Sequence, residues 1–173
     1  MTFSKFCFLG AVFATLAAAI TVPAGAGTPV TFTLTAGALS ISAPTGGVSL
    51  ASQAVSTSAS TISGQLGVIT VTDQRGGATG WVASVIVTAF TPTTGPAVTA
   101  IPATSVSYSA GTVTQAGVTT VQPVTTDLTG VSPVVNGTST GLSTASWNPT
   151  ISVLVPANAA PGIYSATITH SVA

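Results

Sequence analysis

A side-chain alternation of period two, with hydroxyl residues standing where charged ones usually stand, constrains this chain more than any other feature. From Trp81, one face carries Trp81, Ala83, Val85, Val87 and Ala89, and the other carries Val82, Ser84, Ile86, Thr88 and Phe90. Successive side chains on a strand point to opposite faces, so this reads as a strand buried on one face and partly covered on the other. The C-terminal stretch alternates more strictly, with Tyr164, Ala166, Ile168, His170 and Val172 against Ser165, Thr167, Thr169 and Ser171. That is the pattern of a half-buried antiparallel strand. Further strands are predicted over 30–35, 38–43, 66–72, 98–109 and 150–155. Turn chemistry separates them at Ala43-Pro44-Thr45-Gly46-Gly47, Arg75-Gly76-Gly77, Thr94-Gly95-Pro96 and Pro161-Gly162. Thr and Val dominate, and branching at Cβ suits both to a pleated surface. Many short strands with Gly/Pro turns and no amphipathic helix predict an all-β fold, an antiparallel β-sandwich of Ig-like type. Over 111–146, Pro123 and Pro133 interrupt the β-rich sequence, which is expected to form two short edge strands.

The first 26 residues read as an export signal. Lys5 supplies a positive charge, residues 6–20 form an apolar run, and Ala24-Gly25-Ala26 gives an A-x-A cleavage site. The apolar run falls short of the roughly 20 residues a membrane-spanning helix needs. Cys7 lies inside the run, so a lipid anchor does not fit. The expected product is a secreted single domain over residues 27–173, extracellular or wall-associated, with no cysteine and no membrane segment. A domain of this size buries enough surface to fold without a disulfide.

Past residue 26 the charged side chains are Asp73, Arg75 and Asp127, and His170 is the one histidine. Nucleic acid is excluded as a partner, because neutralising phosphates takes several Lys or Arg. Anionic lipids and wall polyanions are excluded for the same reason. No metal or other cofactor is expected, since the ligand sets of zinc and calcium sites are not present. Catalysis is not expected either. His170 falls on the inward face of a strand, where a structural role is expected and not that of a catalytic base. Any ligand is then held by neutral hydrogen bonds and by apolar or aromatic contact.

Asp73 and Arg75 stand two residues apart where a strand runs into Gly76-Gly77. On an extended backbone they share a side and can pair, and Asp73 can also accept from the Gly76 or Gly77 N–H groups. The four residues are expected to pin a turn. Trp81 and Tyr164 are expected in the core, where each aromatic buries roughly 150–250 Å². Trp147, opening Trp147-Asn148-Pro149, stands either in the core or exposed ahead of a strand. Asn136-Gly137-Thr138 is a glycosylation sequon that matters only in a eukaryotic secretory route.

Two stretches carry a resemblance. ITVTDQRGGATGWVASVIVTAF (69–90) resembles the strand–turn–Trp unit of WxL-domain proteins, and WNPTISVLVPANAAPGIYSATITHSVA (147–173) is similar to that family's closing hairpin. FTLTAGALSISAPT (32–45) fits the family's opening strand. The Trp-x-Leu signatures stand here as Trp81-Val82-Ala83 and His170-Ser171-Val172, with Ala83 in place of Leu at the first and His170 in place of Trp at the second. The resemblance implies a WxL-like sandwich on a bacterial surface, held non-covalently to peptidoglycan or another neutral cell-surface polymer. Trp81, His170 and Trp147 are then the candidate ligand-binding residues, and other surface proteins are candidate partners. The alternative is a structural protein that packs with copies of itself through uncharged, Thr-rich strand edges.

Overall fold

The computed structural model describes residues 27–96, 99–121, 125–126 and 128–173. The expected signal sequence, Pro123 and Asp127 lie outside the described residues. Residues 35–173 form one compact unit, and the preceding stretch, up to Leu34, belongs to a separate one.

The fold is an antiparallel β-sandwich with no α-helix among the described residues. Its strands are β1 (Leu39–Ser42), β2 (Ser60–Gln65), β3 (Ile69–Asp73), β4 (Gly80–Val87), β5 (Thr91–Thr94), β6 (Val106–Ser109) and β7 (Val113–Val121). β8 (Thr125–Thr126), β9 (Ser132–Trp147), β10 (Thr150–Val155), β11 (Ile163–Ser165) and β12 (Ile168–Val172) complete it. The first sheet is built on the 16-residue β9. β7 pairs along both halves of β9, β3 pairs with 143–147 and β4 with 132–138. Because β7 occupies one edge throughout, β3 and β4 follow one another along the other. β1 then pairs with β3 and β12 with β4. The second sheet has the order β2-β10-β6-β8, and β5 and β11 form a separate two-stranded ribbon.

The alternation read from the sequence sets what lies inside. Along β4, Trp81, Ala83, Val85 and Val87 are buried while Val82 is exposed. The core closes between them and Ile69, Val71, Ala145 and Trp147 of the first sheet and Val106, Tyr108, Ile151 and Val153 of the second.

Four expectations need correction. The strand expected over 98–109 begins only at Val106, after an isolated bridge at Ile101 and a 3-10 turn over Ala103–Ser105. The 111–146 region supplies two edge strands, β7 and β8, but it also supplies most of β9, which is central to the first sheet and was not expected. Pro133 is tolerated in β9 because it lies where the register against β4 shifts, between Ala83 and Ser84. Residues 30–35 alternate like a strand but form none and pair with no strand among the described residues; Val30, Phe32 and Leu34 are about 85% exposed. β2 was not anticipated, because Ser-Thr-Ile-Ser-Gly-Gln offers one large apolar residue, Ile62, to the interior.

Gly137 explains how Trp81 fits. The two face each other across β4 and β9, and a Cβ on Gly137 would collide with the indole ring. The ring therefore lies directly on the β9 backbone. Gly137→Ala is expected to cost about 1–3 kcal/mol in urea unfolding, the usual range for overpacking. Gly130→Ala, whose Cβ meets open space, is expected to stay within about 0.5 kcal/mol; equal effects would contradict this packing.

Candidate functional site

Asp73, Arg75, Gly76 and Gly77 form the turn expected of them, at a junction the sequence did not reveal. β3 ends at Asp73 and β4 begins at Gly80, while opposite them β9 makes an excursion through Thr140, Gly141 and Leu142. Ser139 and Ser143 close that excursion with their hydroxyls 2.9 Å apart. The Asp73 side chain is fully shielded from solvent and takes donors from each segment of the junction. Arg75 grips it bidentately, Nε to Oδ1 and a terminal nitrogen to Oδ2, both at 3.0 Å. The Arg75 N–H donates to Oδ1 at 3.0 Å, and Thr79 and Ser139 donate to Oδ2 at 3.4 Å. The Arg75 N–H thus takes the role expected of the Gly76 or Gly77 amide. Those glycines serve the turn through their backbone, with φ of +73° and +78° that only glycine adopts freely. Arg75 also donates to the Gly80 carbonyl at 3.0 Å, tying the turn to β4.

The guanidinium hydrogen bonds hold the Asp73 carboxyl down at about 2, although burial acts the other way. A carboxyl whose pKa falls on folding stabilises the protein above its unfolded value of 3.8, and the stabilisation is lost as the pH falls through about 2. Arg75→Ala is expected to lower the melting temperature at pH 7 and to narrow its difference from the parent below pH 3. Unchanged melting at pH 7 would contradict the pin.

The candidate ligand-binding residues are placed differently from one another. Trp81 and Trp147 are both only 2% exposed, so no ligand reaches either ring in this fold. Trp147 ends β9 in the core, and its Nε1 donates to the Tyr108 hydroxyl at 2.9 Å. The Trp81 indole nitrogen is buried with no hydrogen-bond partner among the described residues. His170 on β12 is half-buried, with Nε2 at 3.2 Å from the Tyr108 hydroxyl and the two rings tilted by 59°. Indole is only a donor, so the Tyr108 proton is free to go to His170. The network assigns His170 as the neutral imidazole carrying its proton on Nδ1. Among the described residues no carboxylate faces His170; the Asp73 oxygens are held within the β3–β4 junction.

This Trp147–Tyr108–His170 chain joins the two sheets and titrates at both ends of the pH scale. Burial lowers the pKa of His170 and pushes the Tyr108 hydroxyl up to about 12, with the Trp147 hydrogen bond opposing the second shift. For His170 the stabilisation is complete above its unfolded value of 6.5 and is lost as the pH falls toward the lower folded value. For Tyr108 it is complete below 10.0 and is lost as the pH rises through about 12. Melting temperature is therefore expected to plateau between these limits. Tyr108→Phe removes the alkaline decline and orphans the Trp147 N–H, costing about 1–3 kcal/mol at pH 7. An unchanged alkaline decline in that variant would contradict the assignment.

A groove lies where the connection from β1 to β2 crosses from one sheet to the other without forming a strand. Its main part, of about 860 Å³, is bounded by this connection and by Ile62, Phe90, Ile101, Val153, Val155 and Tyr164. A smaller cavity of about 330 Å³ shares Val48, Leu50 and Phe90 with it and extends to His170. No Asp, Glu, Lys or Arg lines either part. The sequence-based expectations thus include one residue of this region, His170, as a ligand contact, and missed Phe90, Tyr164 and Ile62 as a lining. The one sequence signal available was the long Ser/Ala/Gly-rich stretch after Pro44, which no strand pattern covers. Comparison with known proteins returned no matching family model, no matching curated protein and no matching solved structure.

Proposed function

We propose that this chain is a non-enzymatic module of the extracellular bacterial envelope that holds a neutral, extended partner in the groove beneath the β1–β2 connection. The observation that carries the reading is a groove of about 860 Å³ whose lining is largely apolar and bears no charged side chain. Such a surface recognises its partner by apolar contact and a few neutral hydrogen bonds. A charged group entering it would lose hydration without compensation. Peptidoglycan or another neutral cell-surface polymer is the ligand class implied by the WxL resemblance. In the groove it meets Phe90, Tyr164 and the approach to His170, in place of the enclosed Trp81 and Trp147. A second reading, self-association, is favoured by a separate observation: Val30, Phe32 and Leu34 stand exposed. Each large apolar side chain left in water forgoes roughly 1.5–3 kcal/mol that burial would supply.

The test is co-sedimentation of residues 27–173 with purified peptidoglycan sacculi at low and high salt. Retention is expected to survive high salt, because no charge pairing is available to be screened. Val48→Lys, which sets a cation at the junction of both parts of the groove, is expected to weaken retention at least about tenfold without lowering the melting temperature. No retention at either salt, or full retention of Val48→Lys, would count against the groove as a polymer site.

A further inference from the structure

We infer that the extended partner seated in the groove is the N-terminal segment of a second copy of this chain, residues 30–35, added as a strand along the free edge of β2. The inference rests on the groove being the binding surface and names its occupant.

Three observations converge on it. First, the segment has the side-chain pattern of a strand and pairs with no strand among the described residues. Val30, Phe32 and Leu34 alternate with Thr31, Thr33 and Thr35, all of them exposed, and no ladder includes them. An extended segment of this kind satisfies its backbone by joining a sheet edge and its apolar face by entering alternate pockets. Second, the receiving edge is open. β2 pairs with β10 and with no other described strand. Its inward residues Ser60 and Ile62 line the groove beside Val153 and Val155. A strand added there directs every second side chain toward those residues. In place of such a strand runs the irregular β1–β2 connection, held at few points. Leu50 rests over Gly64, Pro44 over Gly67, and the Ser56 carbonyl accepts from the Asn158 N–H at 2.8 Å. A stretch with so few anchors yields at low cost while Val48 and Leu50 still border the groove. Third, neither surface carries a charge that would oppose the pairing.

A second molecule is required by where the segment joins the sandwich. The chain enters β1 at the Asp73 end, where the Gly37 N–H donates to the Gln74 carbonyl at 2.8 Å. The groove opens beyond the other end of β1, past Ala43 and Pro44. Fully extended, the three residues from Leu34 to Gly37 span at most roughly 11 Å, less than the run of chain through β1 and Ala43 that separates Gly37 from the groove. Because each copy offers one segment and one groove, the contact is head-to-tail and extends to chains of subunits.

Sedimentation velocity of residues 27–173, across a concentration series and without sacculi, tests this. The parent is expected to grow in size with concentration. Phe32→Asn combined with Leu34→Asn is expected to remain monomeric with the parent's melting temperature, since both side chains are exposed. Val48→Lys, at the receiving end, is expected to remain monomeric as well. A parent that stays monomeric, or an Asn double variant or Val48→Lys that assembles like the parent, would overturn the inference. A monomeric parent that still binds sacculi through Val48 would overturn strand donation and leave the groove as a polymer site. Failure in both assays would remove the groove reading itself.

Discussion

The buried carboxylate of Asp73 is the point on which the first sheet depends. Two short strands, β3 and β4, must lie in line along one long strand, with a loop on one side of the joint and an excursion of β9 on the other. Such a joint leaves hydroxyls, amides and a carbonyl turned inward from three segments. One ionised carboxylate accepts from Arg75, Thr79 and Ser139 together, and Arg75 continues to Gly80. A hydrogen bond to an ionised group is stronger than one between neutral groups, and the bidentate pairing fixes direction as well as distance. Among the described residues this pair meets no competing ion. The register of β1 and of β12 follows from it, since each pairs with one of the two strands it aligns.

The second sheet is fastened to the first by a neutral device. Trp147, Tyr108 and His170 pass hydrogen bonds across an otherwise apolar core, so the two layers are held in one relative position as well as pressed together. Both arrangements commit the Asp73–Arg75 pair and the Trp147, Tyr108 and His170 rings to architecture. Among the described residues, the groove where a connection replaces a strand offers recognition a lining without charged side chains. The proposed function rests on that division: Asp73, Arg75, Trp147 and Tyr108 take part in structural hydrogen bonds, and the proposed binding surface is lined by Val, Ile, Phe and Tyr.

Much of the fold was legible because period-two alternation reports burial directly. The inward faces of β4 and β12 came out as read, as did the pairing of Asp73 with Arg75. The failures share a cause: alternation says which way side chains point and not whether a neighbour exists. Residues 30–35 have the pattern and lack the neighbour, while β2 has neighbours and almost no pattern. β9 escaped because Pro133 reads as a break, whereas in the sheet it marks a register shift; Gly137 of the same strand is the seat for Trp81. Trp147 and Trp81 were candidates for ligand contact because an aromatic's exposure is set by tertiary packing, which their local sequence does not encode. The groove was the least legible part, since its walls come from five separate segments.

Hydrogen–deuterium exchange of residues 27–173 as a function of protein concentration tests the central claim most directly, that the groove receives an extended neutral strand. The account predicts that amides of 30–35 and of β2 gain protection together as concentration rises, while the β7 edge does not change. Unchanged exchange in both segments at concentrations where the protein assembles would contradict it.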